Sequence, residues 1–267
     1  MINNRIGKGT LVFKNTCIAA TASVVGKKEG EGPLAETYDY IGEDAYFGEN
    51  TWEKAESKLQ KMAAERVIKK AGITKEDVDI VIAGDLLNQC TGSEYSVNEL
   101  GRSYLGIFGA CSTMAEGLAL ASIILEGGFA KKVLAMTSSH FCTAERQFRY
   151  SLAYGSQRAP TAQWTVTGSG AFIVEEAKSN SGVFITHAVL GTPVDMGITD
   201  ANNMGAAMAP SAAFTLRTFF EDTGTSPTDY DLILTGDLGY EGTKILRDLL
   251  KKENGIDLVD RHNDCGL

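Results

Sequence analysis

Histidine is scarce in this 267-residue chain, with only His140, His187 and His262 present. The five cysteines, Cys17, Cys90, Cys111, Cys142 and Cys265, form no Cys-x-x-Cys pair, and their number is odd. Those shortages argue against a metal cluster and against a disulfide framework, and they fit a reducing compartment. Positive charge is also in deficit: 25 Lys and Arg stand against 34 Asp and Glu, a net charge of −9. Such a chain has no electrostatic footprint for nucleic acid, and its field repels an anionic membrane surface. A long hydrophobic run is missing too. The most apolar stretch, 104–125, contains Ser112, Thr113, Glu116 and three glycines, so it reads as a loop plus a buried core helix rather than a membrane span. Residues 1–10 are polar and lack the apolar core of a signal peptide. A membrane role therefore requires partner proteins.

What is present is an alternation of strand and helix patterns. Residues 16–25 are small and β-branched and read as a strand, and 26–50 read as a long ordered loop or lid. Helical spacing over 52–71 places Leu59, Met62, Ala63, Val67 and Ile68 on one side, with Gly72 as the C-cap. The continuous apolar run 78–83 is the signature of a strand buried on both faces. A short helix is expected over 97–104, a helix over 111–126 and a buried strand over 132–138. Residues 141–165 show no clear period. Paired strands are expected at 170–175 and 182–190, then a helix over 204–220, a buried strand over 230–235 and a helix over 244–252.

Residues 224–239 repeat residues 72–87. Identities fall at Gly72/Gly224, Asp77/Asp229, Asp79/Asp231, Gly84/Gly236, Asp85/Asp237 and Leu86/Leu238. Each copy runs helix, glycine cap, acidic turn, buried strand, Gly-Asp-Leu. Duplication of such a unit implies two similar halves sharing a core, with a cavity where strand ends meet. The second copy stops at Leu267 with no final helix or strand, so the second half is expected to be incomplete.

Residues 106–117 carry the most chemistry. A strand ending in small residues turns abruptly into a helix opened by Cys111, with Gly109 and Ala110 permitting the turn. Backbone N–H groups and positive potential at a helix start lower a thiol pKa and create a nucleophile. The same location holds a carboxylate without any covalent step. A buried structural cysteine is the alternative.

Several longer stretches carry a resemblance. Ala83-Gly-Asp-Leu-Leu-Asn-Gln89, Phe108-Gly-Ala-Cys-Ser-Thr113, Thr137-Ser-Ser-His140, Thr143-Ala-Glu-Arg-Gln-Phe-Arg-Tyr150, Thr165-Val-Thr-Gly-Ser-Gly170 and Met204-Gly-Ala-Ala-Met-Ala-Pro210 resemble the stage V sporulation protein AD family of spore-forming Firmicutes. The resemblance covers essentially the whole chain. It implies an α/β, thiolase-like fold with two pseudo-twofold-related αβ halves layered α/β/α/β/α, the first over 1–190 and the second, incomplete, over 191–267. It also implies binding of dipicolinic acid or its calcium chelate, in place of any cofactor, during dipicolinate uptake in sporulation. The implied partners are other proteins of the stage V sporulation A operon at the inner spore membrane, where the protein is peripheral, and a second copy in a homodimer.

Departures from the related enzymes argue against catalysis. Condensing enzymes of the synthase type carry His-Gln-Ala-Asn after the second-half strand, whereas this chain reads Thr235-Gly-Asp-Leu238 there. The alternatives are an acyltransferase with Cys111 as nucleophile and a structural docking subunit of a spore membrane complex. A dipicolinate pocket needs N–H groups or cations at each carboxylate and apolar faces for the ring. Cys111 offers the helix start. His140 follows a buried strand and lines a pocket or braces a loop. Arg146 and Arg149 lie three apart, as a clamp or as members of an Arg–Glu network. Asp85 and Asp237 are related by the repeat and either touch calcium or cap turns. Asn88 and Gln89 lie just beyond, toward the expected cavity.

Overall fold

The computed structural model describes residues 4–148, 159–178, 182–258 and 260–267. The elements in chain order are β1 (Arg5–Ile6), β2 (Thr10–Val12), β3 (Thr16–Val25), β4 (Tyr40–Ile41), α1 (Trp52–Lys70), β5 (Ile80–Gly84), α2 (Thr91–Asn98), β6 (Ser103–Gly106), α3 (Thr113–Glu126), β7 (Lys132–Ser139) and α4 (Phe141–Phe148). They continue with β8 (Gly168–Glu176), β9 (Val183–Phe184), β10 (His187–Val189), α5 (Met204–Thr223), β11 (Ile233–Thr235), α6 (Gly239–Asn254) and β12 (His262–Asp264). They form two units. The larger holds β3 to β9 with α1 to α4, and the smaller holds β1, β2, β10 to β12, α5 and α6.

The larger unit is built on one mixed sheet, ordered β4-β3-β8-β7-β5-β6, with β9 also pairing β3. β5 lies parallel between β6 and β7, while β8 runs antiparallel to both β7 and β3. Side chains alternate across a strand. Val81, Ala83, Leu134, Met136, Ala171 and Ile173 accordingly meet Leu59, Ala63 and Val67 of α1 on one face. Ile82, Val133 and Val174 meet Ala121, Leu118 and Ile124 of α3 on the other. Covering both faces is what makes the central strands uniformly apolar. The Thr51 hydroxyl caps α1 by accepting from Lys54 N at 3.3 Å, worth about 1 kcal/mol.

The loop between β3 and α1 is ordered, as its length requires. Glu29 accepts from Thr167 N at 2.9 Å and Asp39 from Ser23 N at 2.9 Å, while Asp44 accepts from Tyr46 N and Phe47 N.

The smaller unit packs α5 on α6 around Ala209, Phe220, Ile233, Leu238, Leu246, Leu250 and Leu258. The helices approach where Gly205 faces Gly242. A Cβ on Gly205 would come within 2.2 Å of Leu238 O. β1, β2 and β10 form an antiparallel sheet, and β11 pairs β12 in parallel.

The repeat is visible in local geometry. Gly72 and Gly224 both end a helix with positive φ, 67° and 66°. Each is followed by a single 3-10 turn with a capping box, Thr74 with Asp77 in one copy and Ser226 with Asp229 in the other.

Some expectations need correction. The helix expected over 97–104 is instead α2 at Thr91–Asn98 followed by edge strand β6. Residues 170–175 and 182–190 do not pair with each other: β8 and β9 both pair β3, and β10 pairs β2. In the strand expected over 230–235, only Ile233 to Thr235 is extended, with Leu232 and Leu234 exposed. The aperiodic segment begins with helix α4, and β12 was not foreseen.

Candidate functional site

Cys111 sits on a short 3-10 turn, Ala110–Ser112, that leads into α3, so the helix proper starts two residues later, at Thr113. Ala110 is held at φ 47°, a left-handed conformation that L residues with a Cβ rarely adopt. Three bonds hold the turn in place. Gly109 N donates to Thr113 Oγ1 at 3.0 Å, Thr113 Oγ1 donates to Ala110 O at 2.8 Å, and Ser112 Oγ donates to Gly109 O at 2.8 Å. The thiol-bearing residue is exposed.

This turn lies against the end of β5. Ile107 N donates to Ala83 O, and the buried Cys90 thiol donates to Ile107 O at 3.2 Å. A Cβ on Gly84 would meet Ile107 O at 2.3 Å and Thr113 Cγ2 at 2.5 Å, so only glycine permits the approach. The first glycine of the Gly-Asp-Leu copy is thus what brings 85–90 beside the Cys111 turn.

Asp85 is buried and fully employed. It accepts from Leu87 N at 2.8 Å, Ser93 N at 2.7 Å and Ser93 Oγ at 2.6 Å, which makes it the cap that leads into α2. Gln89 and Cys90 follow with φ 60° and 56°. Asn88 and Gln89 are exposed, and Asn88 exchanges two bonds with Gln147 of α4.

α4 brings in the remaining candidates of this unit. His140 precedes it and is completely buried. Its Nε2 donates to Ala45 O at 2.7 Å and its Nδ1 accepts from Cys142 N at 3.2 Å. Burial pushes its pKa down, so the ring is neutral with the proton on Nε2. Arg146 pairs with Glu53 and lies over the Trp52 ring, 5.5 Å from its centroid. Arg149 lies outside the described residues. Asp85, Asn88, Gln89, Cys111, His140 and Arg146 therefore belong to one unit, and Asn88 joins directly to α4.

Asp237 belongs to the smaller unit. It follows β11 at φ 61°, and its carbonyl accepts from Gln163 Nε2 at 2.5 Å. Nearby, at the end of β11, stands Thr235. Its hydroxyl donates to Asp264 Oδ2 at 2.5 Å and accepts from His262 Nε2 at 2.8 Å. Arg247 Nε donates in turn to His262 Nδ1 at 3.2 Å. Burial, then the Arg247 charge, lower the His262 pKa against the opposing pull of Asp264. Asp264 also accepts from the N–H groups of Leu238, Gly239 and Gly266, so the chain's own carboxylate closes the start of α6.

Reasoning from sequence missed the buried polar side chains under α1: Glu56, Gln60, Ser93, Ser96, Ser138 and Thr143. A signal existed, because Glu56 and Gln60 fall in the same helical stripe as Leu59, Ala63 and Val67. Among the described residues there is no metal-binding cluster of His, Cys, Asp and Glu. Nor is any described helix long and apolar enough to cross a membrane.

The family model for stage V sporulation protein AD matches residues 7–267. The chain belongs to the stage V sporulation protein AD family. Stage V sporulation protein AD of Bacillus subtilis (strain 168) is 45% identical over 262 residues, which are 98% of this chain and 77% of that protein. Solved structures give the fold of the family member described above. A 3-oxoacyl-(acyl carrier protein) synthase III from Xanthomonas oryzae pv. oryzae matches with a TM-score of 0.65 at 16% identity, covering 95% of this chain and 85% of that one. OleA from Xanthomonas campestris matches with a TM-score of 0.62 at 18% identity, over 95% and 85% of the two chains. The fold of this sporulation-family chain is therefore thiolase-like.

Proposed function

We propose that this sporulation-family protein is a non-catalytic binding protein for dipicolinic acid or its calcium chelate, acting in dipicolinate uptake. The observation that carries the reading is a pairing of opposites on a thiolase-like fold. Cys111 is exposed on a constrained turn entering α3, while the segment that the resemblance matches to the synthases' His-Gln-Ala-Asn reads Thr235-Gly-Asp-Leu238 here, with the Thr235 hydroxyl committed to Asp264 and His262. No side chain of Thr235-Gly-Asp-Leu238 supplies a basic nitrogen or a cation for thioester chemistry. A helix start with its N–H groups suits a carboxylate. Asn88, Gln89, Asp85, His140, Arg146, Arg149 and Asp237 are the further residues assigned to ligand binding. Two of them, Asp85 and His140, act through the backbone they hold in place.

The same reading includes a homodimer joined along β6, the outermost strand of the large sheet, where Leu105 and Phe108 are exposed. It also includes peripheral attachment to the inner spore membrane through proteins of the same operon.

Calorimetric titration of dipicolinic acid, with and without calcium, into the protein and into Cys111→Ala tests it. Binding that weakens about tenfold in the variant, roughly 1.4 kcal/mol, supports the assignment. Turnover-dependent labelling of Cys111 by an acyl-CoA, seen by mass spectrometry, would replace it with acyl transfer. Absence of any dipicolinate binding by the folded protein would move the assignment to a docking subunit.

A further inference from the structure

The carboxyl of Glu56 is a charged-type group in the interior of the larger unit, fully buried on α1 and without an ion pair among the described residues. Its Oε2 lies 2.7 Å from Thr143 Oγ1 and its Oε1 lies 3.3 Å from Ser138 Oγ. Thr143 Oγ1 is at the same time 2.9 Å from His140 O, a carbonyl that can only accept. Threonine has one hydroxyl proton. With Glu56 ionised, its carboxylate and the His140 carbonyl compete for that proton and one of the two bonds is lost. With Glu56 protonated on Oε2, the acid donates to Thr143 Oγ1, Thr143 donates to His140 O, and both bonds are made. The geometry is complete only with the neutral acid.

The surroundings agree. Asp85, beyond β5, opposes a second negative charge. On α1, Glu53 is engaged by Arg146 of α4. From the end of β7, His140 is neutral with both ring nitrogens bonded, and the nearby Glu29 adds negative charge. From α4, Glu145 is also buried, adding no positive charge. α2 contributes the neutral Ser93 and Ser96, which bond Gln60. β3 and β8 bring Ala22, Val24, Ala171 and Ile173 into the same core.

We infer that Glu56 is a proton-operated latch beneath the start of α4: protonated, it completes the bonds of Thr143 and His140 there, and ionised, it leaves a buried charge against α4 with one bond fewer. Ionisation takes the Thr143 proton from His140 O, which then keeps only the bond from Ala144 N, and leaves the carboxylate charge in the core with no cation among the described residues beside it. α4 carries Arg146 and Gln147, so its packing governs how those side chains are presented. The inference concerns this packing alone and stands whatever the ligand is. In support, burial raises the pKa of Glu56 to about 7, against the lowering bonds from Thr143 and Ser138.

The sign follows from that direction. The folded state holds the proton more tightly than the unfolded chain, so the contribution is complete below about pH 4.5 and is lost as pH rises to about 7. Hydrogen exchange read by mass spectrometry at about pH 5 and about pH 8, corrected for intrinsic rates, is the test, run on the wild type and Glu56→Gln. Gln mimics the neutral acid. In the wild type the α4 amides are expected to lose about tenfold in protection at the higher pH, and in Glu56→Gln they are expected not to change. Equal pH responses in the two proteins would overturn the inference. Should Glu56→Gln not fold, infrared titration of the wild type decides: a protonated-acid carbonyl band that disappears near neutrality supports the latch, and its absence at every pH above 5 sinks it.

Discussion

Asp222 accepts from Lys8 N, Gly9 N, Thr10 N and Thr10 Oγ1, so four donors from three consecutive residues converge on one carboxylate. Those bonds hold its pKa at about 2. Because the folded value is depressed, its stabilising contribution is present above about pH 3.8 and disappears as pH falls through about 2. Thermal melts of wild type and Asp222→Asn should therefore differ at neutral pH and converge in acid; parallel curves would show that the clamp contributes nothing. At this scale the sequence was partly legible. Cys111 and Asp85 stood out because their neighbours in the chain define their setting. His140 did not disclose its role, since its acceptor, Ala45 O, lies 95 residues away. A hydrogen bond closed over that distance leaves no local pattern to read.

Elements were legible in proportion to how much of their energy is local. α1 combines a threonine cap, an apolar stripe and Lys69 and Lys70 in its last turn, each visible as a spacing. The duplicated acidic turn was readable for the same reason, because a capping box spans four residues. β6 was not readable. It is four residues long, exposes three of them, and exists through pairing with β5. The close crossing of α5 and α6 supplies an element-scale prediction. Gly205→Ala places a methyl 2.2 Å from Leu238 O and forces the helices apart, which should cost about 1–3 kcal/mol in urea denaturation. The corresponding change in the larger unit, Gly84→Ala, pushes on Ile107 and the Cys111 turn. It should slow thiol labelling at Cys111 or alter its pH dependence, whereas unchanged labelling would mean that the turn does not depend on Gly84.

At the scale of the whole molecule, net charge and sheet edges set the behaviour. A net charge of −9 keeps copies apart in general, so association is expected only where apolar surface outweighs it. β6 is such a place, with Leu105 46% exposed at an unpaired edge. Leu105→Lys should convert a dimer to a monomer in light scattering without changing the melting temperature by more than a few degrees. A wild type that is monomeric at every concentration would remove the edge-to-edge pairing. The local αβ repeat was legible from sixteen aligned positions, since each copy carries the same glycine cap and capping-box turn. Strand partners were less so, because β8, β9 and β10 follow one another in sequence, yet β8 and β9 lie on β3 in the large sheet and β10 pairs β2 in another.

Asp264 has one more consequence. Its carboxylate receives the Leu238, Gly239 and Gly266 amides and the Thr235 hydroxyl, the set of donors that a visiting anion would want. Because it is tethered, that internal anion is always in place, at an effective concentration that no dissolved carboxylate approaches. The start of α6 is thus a receptor saturated by its own chain, and free ligand competes for it at a permanent disadvantage.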